Sequence, residues 1–142
     1  MKDDKELIIL IAEDDDGHAL LVKEGLEESG VRNQTIRFSN GEEVWTFLIE
    51  KKVQAKRKKI AYLLLLDINM PKMDGVEVLK RMKSNPELID IPVIMLTTTD
   101  DPKEVEQCYH IGCNAYVTKP IDFSNFAETL KRLGLFIQIV KV

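Results

Sequence analysis

The sequence has few cysteines, no excess of basic residues and no long hydrophobic run. Its two cysteines, Cys108 and Cys113, lack the spacing of metal ligands, which favours reduced packing residues of a cytosolic protein. A formal net charge of -4 argues against a general nucleic-acid binder, because such proteins usually present a basic surface. The apolar run near the N-terminus is too short for a signal peptide or a membrane span. We therefore expect a cytoplasmic protein that binds neither DNA nor a membrane.

The chain also lacks sequence repeats and an internal linker. Its 142 residues, 44% of them apolar, are enough for one domain with a substantial core. Apolar runs alternate with amphipathic segments, which is the pattern of strands followed by helices. We therefore expect residues 1–142 to form a single α/β domain with five strands, at residues 7–12, 35–39, 61–66, 92–97 and 114–119.

Five helices are expected to follow these strands. Asp16, Asp101 and Asp122 are the predicted N-caps of the first, fourth and fifth helices, and Gly30 and Gly112 are the predicted stops. Because the strands are almost continuously apolar, the sheet should be parallel and covered on both faces. In such a sheet, ligands bind outside the carboxyl ends of the strands.

Polar side chains stand where four of the five predicted strands end. Clustered carboxylates repel one another unless a cation neutralises them, and oxygen ligands suit Mg²⁺ or Ca²⁺. Mg²⁺ held by few carboxylates typically meets a phosphate, and a lysine and a threonine hydroxyl can each hold a phosphoryl oxygen. An aspartate beside such a metal can act as a nucleophile and form an aspartyl phosphate. The residues are Glu13, Asp14 and Asp15 after the first strand, Asp67 after the third, and residues 97–99 and 118–120 at the fourth and fifth.

Each of these strand ends has an ordinary explanation when it is taken alone. An acid after a buried strand is usually a helix cap or a turn residue, and an acidic run can be a solvated loop. Four such ends in one strand–helix register seldom coincide by chance. A phosphoryl-accepting site at Asp67 is therefore the favoured interpretation.

Four segments together resemble the signature blocks of the response-regulator receiver domain, the phospho-accepting half of two-component signalling. They read "ILIAEDD", "LLLLDINMPKMDG", "PVIMLTT" and "GCNAYVTKPI", and the likeness covers about residues 7–133. The resemblance implies a doubly wound, flavodoxin-like α/β fold, with five parallel strands in the order 2-1-3-4-5 and five helices. Residues 134–142 would then form an apolar C-terminal extension of this core.

The resemblance also implies which residues bind the metal and accept the phosphoryl group. Asp67 would be the phosphorylation site. Asp14 and Asp67 would bind Mg²⁺ directly, Glu13 through water, and Asn69 through its main-chain carbonyl. Asp15 lies one place past the usual acidic pair and would not be a direct ligand.

A second set of residues would carry the switch. By resemblance, Thr97 is the switch hydroxyl, Lys119 contacts the phosphoryl group, and Tyr116 is the aromatic residue that changes rotamer. Asn69 and Thr99 would flank the water that attacks the aspartyl phosphate, and so tune its lifetime. We expect Thr97 and Lys119 at the exposed mouth of the sheet, where substitution should affect switching more than folding.

Within the receivers, the chain most resembles stand-alone regulators that partner bacteriophytochromes. The cues are "EDDDGHALLVKEGL" near the start and "FAETLKRLGLFIQIV" near the end. This resemblance implies a sensor histidine kinase as the phosphoryl donor and a homodimer formed through residues 134–142, although a tail folded back on its own domain is the alternative. Since no output domain follows Val142, we expect the output to be a protein contact or onward phosphotransfer.

Two other functions fit parts of the pattern. A haloacid-dehalogenase-type phosphatase also uses an aspartate nucleophile and Mg²⁺, but it needs a second aspartate where this chain has Asn69. A degenerate receiver that acts as an unphosphorylated scaffold should lack site residues, and none is missing. We therefore expect a switch rather than an enzyme, with only self-phosphorylation and slow autodephosphorylation as its chemistry. The segment from Lys51 to Lys59 holds six basic residues in nine and is either a solvated helix end or a docking patch.

Overall fold

A five-stranded parallel sheet organises the chain, and its strands, numbered along the chain, lie in the predicted order 2-1-3-4-5. The computed structural model describes residues 6–28, 30–98 and 101–118. The predicted helix after Asp122 and the extension at residues 134–142 lie outside the described residues. The elements are β1 (Glu6–Ala12), α1 (Asp16–Glu28), β2 (Thr35–Phe38), α2 (Gly41–Lys58), β3 (Ile60–Leu66), α3 (Gly75–Lys83), β4 (Val93–Thr97), α4 (Pro102–Ile111) and β5 (Ala115–Thr118).

The run of four leucines in β3 supplies both faces of the core. Leu64 and Leu66 pack into one apolar layer, whereas Leu63 and Leu65 pack into the other, because successive strand residues point to opposite faces. Each is at most 1% exposed, so burial of each side chain stabilises the fold by about 1.5–3 kcal/mol. Helices cover both layers, the first with Val44, Leu48, Val78, Leu79, Met82 and Cys108, and the second with Val22 and Leu26 of α1.

Helix α4 ends at Gly112, as predicted. Gly112 has a φ of 127°, which a residue with a side chain rarely adopts, and the amides of Gly112 and Cys113 both donate to the carbonyl of Cys108. This arrangement is typical of helix C-termini, in which the residue after the glycine often packs against a residue in the last turn of the helix. Cys108 and Cys113 are both buried free thiols, which agrees with their predicted packing role.

The basic segment from Lys51 to Lys59 forms the last turns of α2 and the turn into β3. Lys52 Nζ lies 2.9 Å from the carboxylate of Glu87 and so ties α2 to the loop before β4. Arg57 and the two lysines that follow it are exposed at this end of the sheet, opposite the carboxyl edge. Within the described residues, no helix is both long and apolar enough to span a membrane.

Candidate metal centre at the carboxyl edge of the sheet

The register of the sheet brings the predicted acidic residues together. Ala12 pairs with Leu66 across the two parallel strands β1 and β3, so the residues that follow them, Glu13 and Asp67, emerge side by side. The Asp67 amide extends this pairing by donating to the Ala12 carbonyl at 3.0 Å. The two acids are therefore positioned by continuous strand hydrogen bonding and not by a mobile loop.

Three carboxylates converge at this edge. Each of Glu13, Asp14 and Asp67 contributes one oxygen, and these oxygens all lie within 4.8 Å of one another. Glu13 is 2% exposed and Asp67 is 6% exposed, whereas Asp14 is open to solvent. Carboxylates held this closely repel unless a cation lies between them, and an all-oxygen set open on one side suits Mg²⁺ with several waters. The residues present therefore fit the predicted metal.

Asp15 and Asp16, the last two of the four consecutive acids, have different partners. Asp15 accepts a hydrogen bond from the His18 amide at 2.9 Å and is thus the N-cap of α1, while its own amide donates to Glu13 Oε2 at 3.1 Å. Asp16 instead pairs with Arg37 at 2.7 Å. The prediction that Asp16 caps this helix was wrong, because the helix begins at Asp16 and a capping side chain must come from the residue before it.

The loop between Asp67 and α3 is tightly folded against the site. The Gly75 amide donates to the Ile68 carbonyl at 2.9 Å, and a Cβ on Gly75 would lie 2.1 Å from the Asp67 carbonyl oxygen. Met70 is buried and Met73 packs against the core, so both fill the turn. The side chain of Asn69 is exposed beside them. This loop therefore packs closely against the backbone of Asp67.

Thr97 ends β4 and pairs with Thr118 of β5. We expect it at an exposed mouth of the sheet, but it is fully buried. Its substitution must therefore affect folding as well as any switch. Tyr116 is half-buried against the core, and Lys119 and Thr99 lie outside the described residues.

Sequence reasoning missed Arg37, which the fold brings to the acidic loop. Arg37 lies near the end of β2, and its guanidinium contacts the main chain of Glu13 as well as Asp16. An isolated arginine in a short strand gives no signal of this contact. Only the pairing of β2 with β1, which sets Arg37 opposite Ile11, places it there.

Comparisons with known proteins give a family match and several similar solved structures. A family model for the response regulator receiver domain matches residues 9–131. Response regulator Rcp1 of Synechocystis is 37% identical over 129 residues, which cover 91% of this chain and 87% of that protein. The Mn²⁺-bound structure of Rcp1 superposes with a TM-score of 0.82, covering 95% of this chain and 96% of that one, with 31% identity in the structural alignment.

Two further solved structures are similar over almost the whole chain. A response regulator receiver domain from Rhodospirillum rubrum superposes with a TM-score of 0.86 at 42% identity, covering 95% of this chain and 96% of that one. The phosphorylated cyanobacterial phytochrome response regulator RcpA superposes with a TM-score of 0.78 at 30% identity, covering 93% of each chain.

Proposed function

The chain belongs to the family of response regulator receiver domains, and we propose that it accepts a phosphoryl group on Asp67 from a sensor histidine kinase. The observation that carries the proposal is the convergence of Glu13, Asp14 and Asp67 at the carboxyl edge of the sheet. Asp67 is buried enough to be held in one orientation, and Asp14 leaves one side of the cluster open for a phosphoryl donor.

Each residue has a proposed part in the transfer. An Asp67 oxygen forms a bond to phosphorus while the bond from phosphorus to the imidazole nitrogen of the donor breaks, and the electron pair returns to that ring. Asp14, Asp67 and the main-chain carbonyl of Asn69 would hold Mg²⁺ directly, and Glu13 would hold it through water. The metal, when bound, neutralises charge on the carboxylates and on the phosphoryl oxygens. Lys119 would contact one of those oxygens.

The phosphorylated state would then change a protein-binding surface. Thr97 is proposed to turn its hydroxyl to the phosphoryl group and Tyr116 to move inward, so that the surface formed by α4 and β5 changes shape. Contacts made only with the phosphoryl group bias two existing states, which is a population shift. Asn69 and Thr99 would set how fast water hydrolyses the aspartyl phosphate, and we propose no other enzymatic activity.

Similarity to RcpA and to two regulators described as bacteriophytochrome response regulators supports a phytochrome-type kinase as the donor. We also propose that the chain forms a homodimer through residues 134–142 and passes its signal to a downstream protein or a phosphotransfer protein. The cytoplasmic location remains a prediction from the sequence.

The test is labelling with a small phosphodonor. The protein is incubated with phosphoramidate or acetyl phosphate, with Mg²⁺ or with EDTA, and one added phosphoryl group per chain is sought by intact mass. We expect labelling only with Mg²⁺, and none in Asp67→Asn. Asp74→Asn is the matched control, because Asp74 is an exposed acid seven residues further on whose capping hydrogen bond an asparagine can also accept.

Labelling of Asp67→Asn at the wild-type level, or labelling that EDTA leaves unchanged, would remove Asp67 from this role. A wild-type chain that no donor labels would favour the unphosphorylated scaffold instead. Profiling transfer from each histidine kinase of the source organism would then identify the physiological donor.

A further inference from the structure

Arg37, near the end of β2, forms hydrogen bonds to the loop that carries the acidic residues. Its Nε and Nη2 atoms donate to the Glu13 carbonyl oxygen at 3.0 and 2.8 Å, and its Nη1 atom donates to Asp16 Oδ1 at 2.7 Å. The guanidinium is planar and presents its donors in a fixed fork, so two hydrogen bonds to one oxygen define the position of that oxygen closely.

The main chain of Glu13 is therefore held to β2 at two points. Its amide donates to the Phe38 carbonyl at 3.0 Å, and its carbonyl accepts from Arg37. Glu13 and Asp14 carry two of the three carboxylates that converge at the site. A displacement of the Glu13 peptide would move both carboxylates relative to Asp67, whose amide donates to the Ala12 carbonyl and whose own carbonyl lies against Gly75.

We propose that Arg37 is a positioning residue for cation binding, which it supports by fixing the Glu13 peptide rather than by touching the metal or the phosphoryl group. The inference rests on the proposed metal site. It assigns a role in that site to β2, the strand at the far edge of the sheet.

Whether removal of Arg37 strengthens or weakens Mg²⁺ binding distinguishes a positioning role from a purely electrostatic one. Arg37 is a positive charge beside an anionic cluster, so its removal should strengthen cation binding if charge alone matters. If Arg37 acts through the Glu13 peptide, its removal should weaken cation binding, because the loop must then be ordered when the cation binds. The two effects act in opposite directions.

The ion pair with Asp16 contributes little to this role. The Asp16 side chain is 93% exposed, and ion pairs between exposed groups are screened by water. Asp16→Asn removes that pair but leaves both donors to the Glu13 carbonyl in place. It therefore tests whether the main-chain contacts are the part that matters.

The experiment measures Mg²⁺ affinity by isothermal titration calorimetry for the wild-type chain and five variants, of which Asp14→Asn tests the metal site itself. We expect Arg37→Ala to bind Mg²⁺ about tenfold more weakly, the lower end of the range seen when groups that orient metal ligands are lost. Arg37→Lys keeps the positive charge but loses the paired guanidinium donors, and it should also bind Mg²⁺ more weakly. Asp16→Asn should stay within about twofold of wild type. Arg32→Ala is the charge-matched control, because the Arg32 guanidinium contacts the Glu27 carbonyl at the end of α1 and not the acidic loop. Its Mg²⁺ affinity should also stay within about twofold of wild type.

A second readout needs no metal. Amide hydrogen exchange of the metal-free protein reports on residues 13–18, where the amides of Glu13, Asp15 and His18 are hydrogen-bonded within the loop or to β2. We expect faster exchange of this segment in Arg37→Ala and Arg37→Lys, with unchanged exchange in β3 as the sign that the core remains folded.

Unchanged or tighter Mg²⁺ binding in Arg37→Ala would overturn the inference, and so would weaker binding with unchanged exchange of residues 13–18. Failure of the proposed function has a different signature. In that case the wild-type chain itself binds no Mg²⁺, or Asp14→Asn binds it as well as wild type does.

Discussion

The hydroxyl of Tyr109 accepts a hydrogen bond from the main-chain amide of Tyr116 at 3.0 Å. Tyr109 lies on α4 and is 49% exposed, whereas Tyr116 lies on β5 and packs against the core. One side chain of the helix therefore binds the backbone of the strand at the residue proposed to move. The contact joins the two elements of the proposed switch surface.

Tyr109→Phe should make the switch easier to operate. The substitution keeps the ring and removes only the acceptor, so the free energy of unfolding should fall by no more than about 1 kcal/mol. If the bond is made in the unphosphorylated state, its loss raises the population of the other state, by up to about fivefold for that energy. We expect the NMR signal of the Tyr116 amide to shift part of the way to its position with beryllofluoride. A signal that moves no more than in His110→Ala, the exposed neighbour on α4, would contradict this role.

Gly75→Ala should strongly destabilise the chain. The added Cβ would lie 2.1 Å from the Asp67 carbonyl oxygen and 3.0 Å from the Ile68 Cα, so main-chain atoms must move. We expect the free energy of unfolding to fall by about 1–3 kcal/mol, measured by urea denaturation. Gly17→Ala is the control, because its Cβ would meet only the Asp15 side chain at 3.2 Å and alanine favours the helix. Equal stability of the two variants would show that the loop adjusts without cost.

Thr97 should be tested with substitutions that respect its burial. Thr97→Val keeps the shape but removes the hydroxyl, and Thr97→Ser keeps the hydroxyl but removes a methyl group. We expect either variant to lose about 1 kcal/mol of stability, and only Thr97→Val to lose the response of the Tyr116 amide to beryllofluoride. A valine variant that responds as fully as wild type would exclude the hydroxyl as the switch.

The sequence predicted the sheet well for a simple physical reason. Strands buried on both faces must be apolar throughout, so their ends are marked by the first polar residue. This rule located β1, β3 and β4 to within one residue at each end, and the alternation of apolar and polar residues located the partly exposed edge strand β2 equally well. The same rule located Glu13 and Asp67, because parallel strands bring their carboxyl ends to one edge.

What sequence reasoning missed depends on contacts between distant segments. Whether Asp15 or Asp16 caps α1 depends on the residue at which the helix begins. Because the two neighbouring residues are both aspartates, the sequence does not show which of them is the cap. The burial of Thr97 depends on tertiary packing, and the contact of Arg37 with the Glu13 carbonyl depends on the pairing of β1 with β2. Local pattern carries none of this information.

The proposed dimer can be tested by truncation. If residues 135–142 were extended, both of their alternating faces would be mainly apolar, and such a segment is expected to be covered by a second copy or by its own domain. If a second copy covers it, the chain ending at Leu133 should be a monomer by light scattering, with an unchanged circular dichroism spectrum, while the full chain is a dimer. A full chain that stays monomeric at high micromolar concentration, with and without beryllofluoride, would leave only the intramolecular alternative.

The buried thiols should be chemically inert and should affect stability only at high pH. Burial, then the nearby Cys113 and Glu104, raise the pKa of Cys108 from its ordinary value of 9.0 to about 11. Burial also raises the pKa of Cys113. Because the thiolate is the reactive form, neither cysteine should react with a thiol reagent within minutes at about pH 8, whereas both should react in guanidinium chloride.

The effect of pH on stability follows from the same shift. Between about pH 9 and 11 the unfolded chain loses the Cys108 proton that the folded chain keeps, so unfolding becomes more favourable as the pH rises. The stability that the raised pKa of Cys108 contributes is fully present below about pH 9 and is lost as the pH rises from about 9 to about 11. Tyr62, Lys83 and Cys113 also have shifted pKa values, so the comparison must be with Cys108→Ala, which keeps these three residues. We expect the stability difference between wild type and this variant to be constant from about pH 6 to 8 and to decrease above pH 9. A difference that stays constant up to pH 11 would mean that the folded structure opens enough to ionise this thiol.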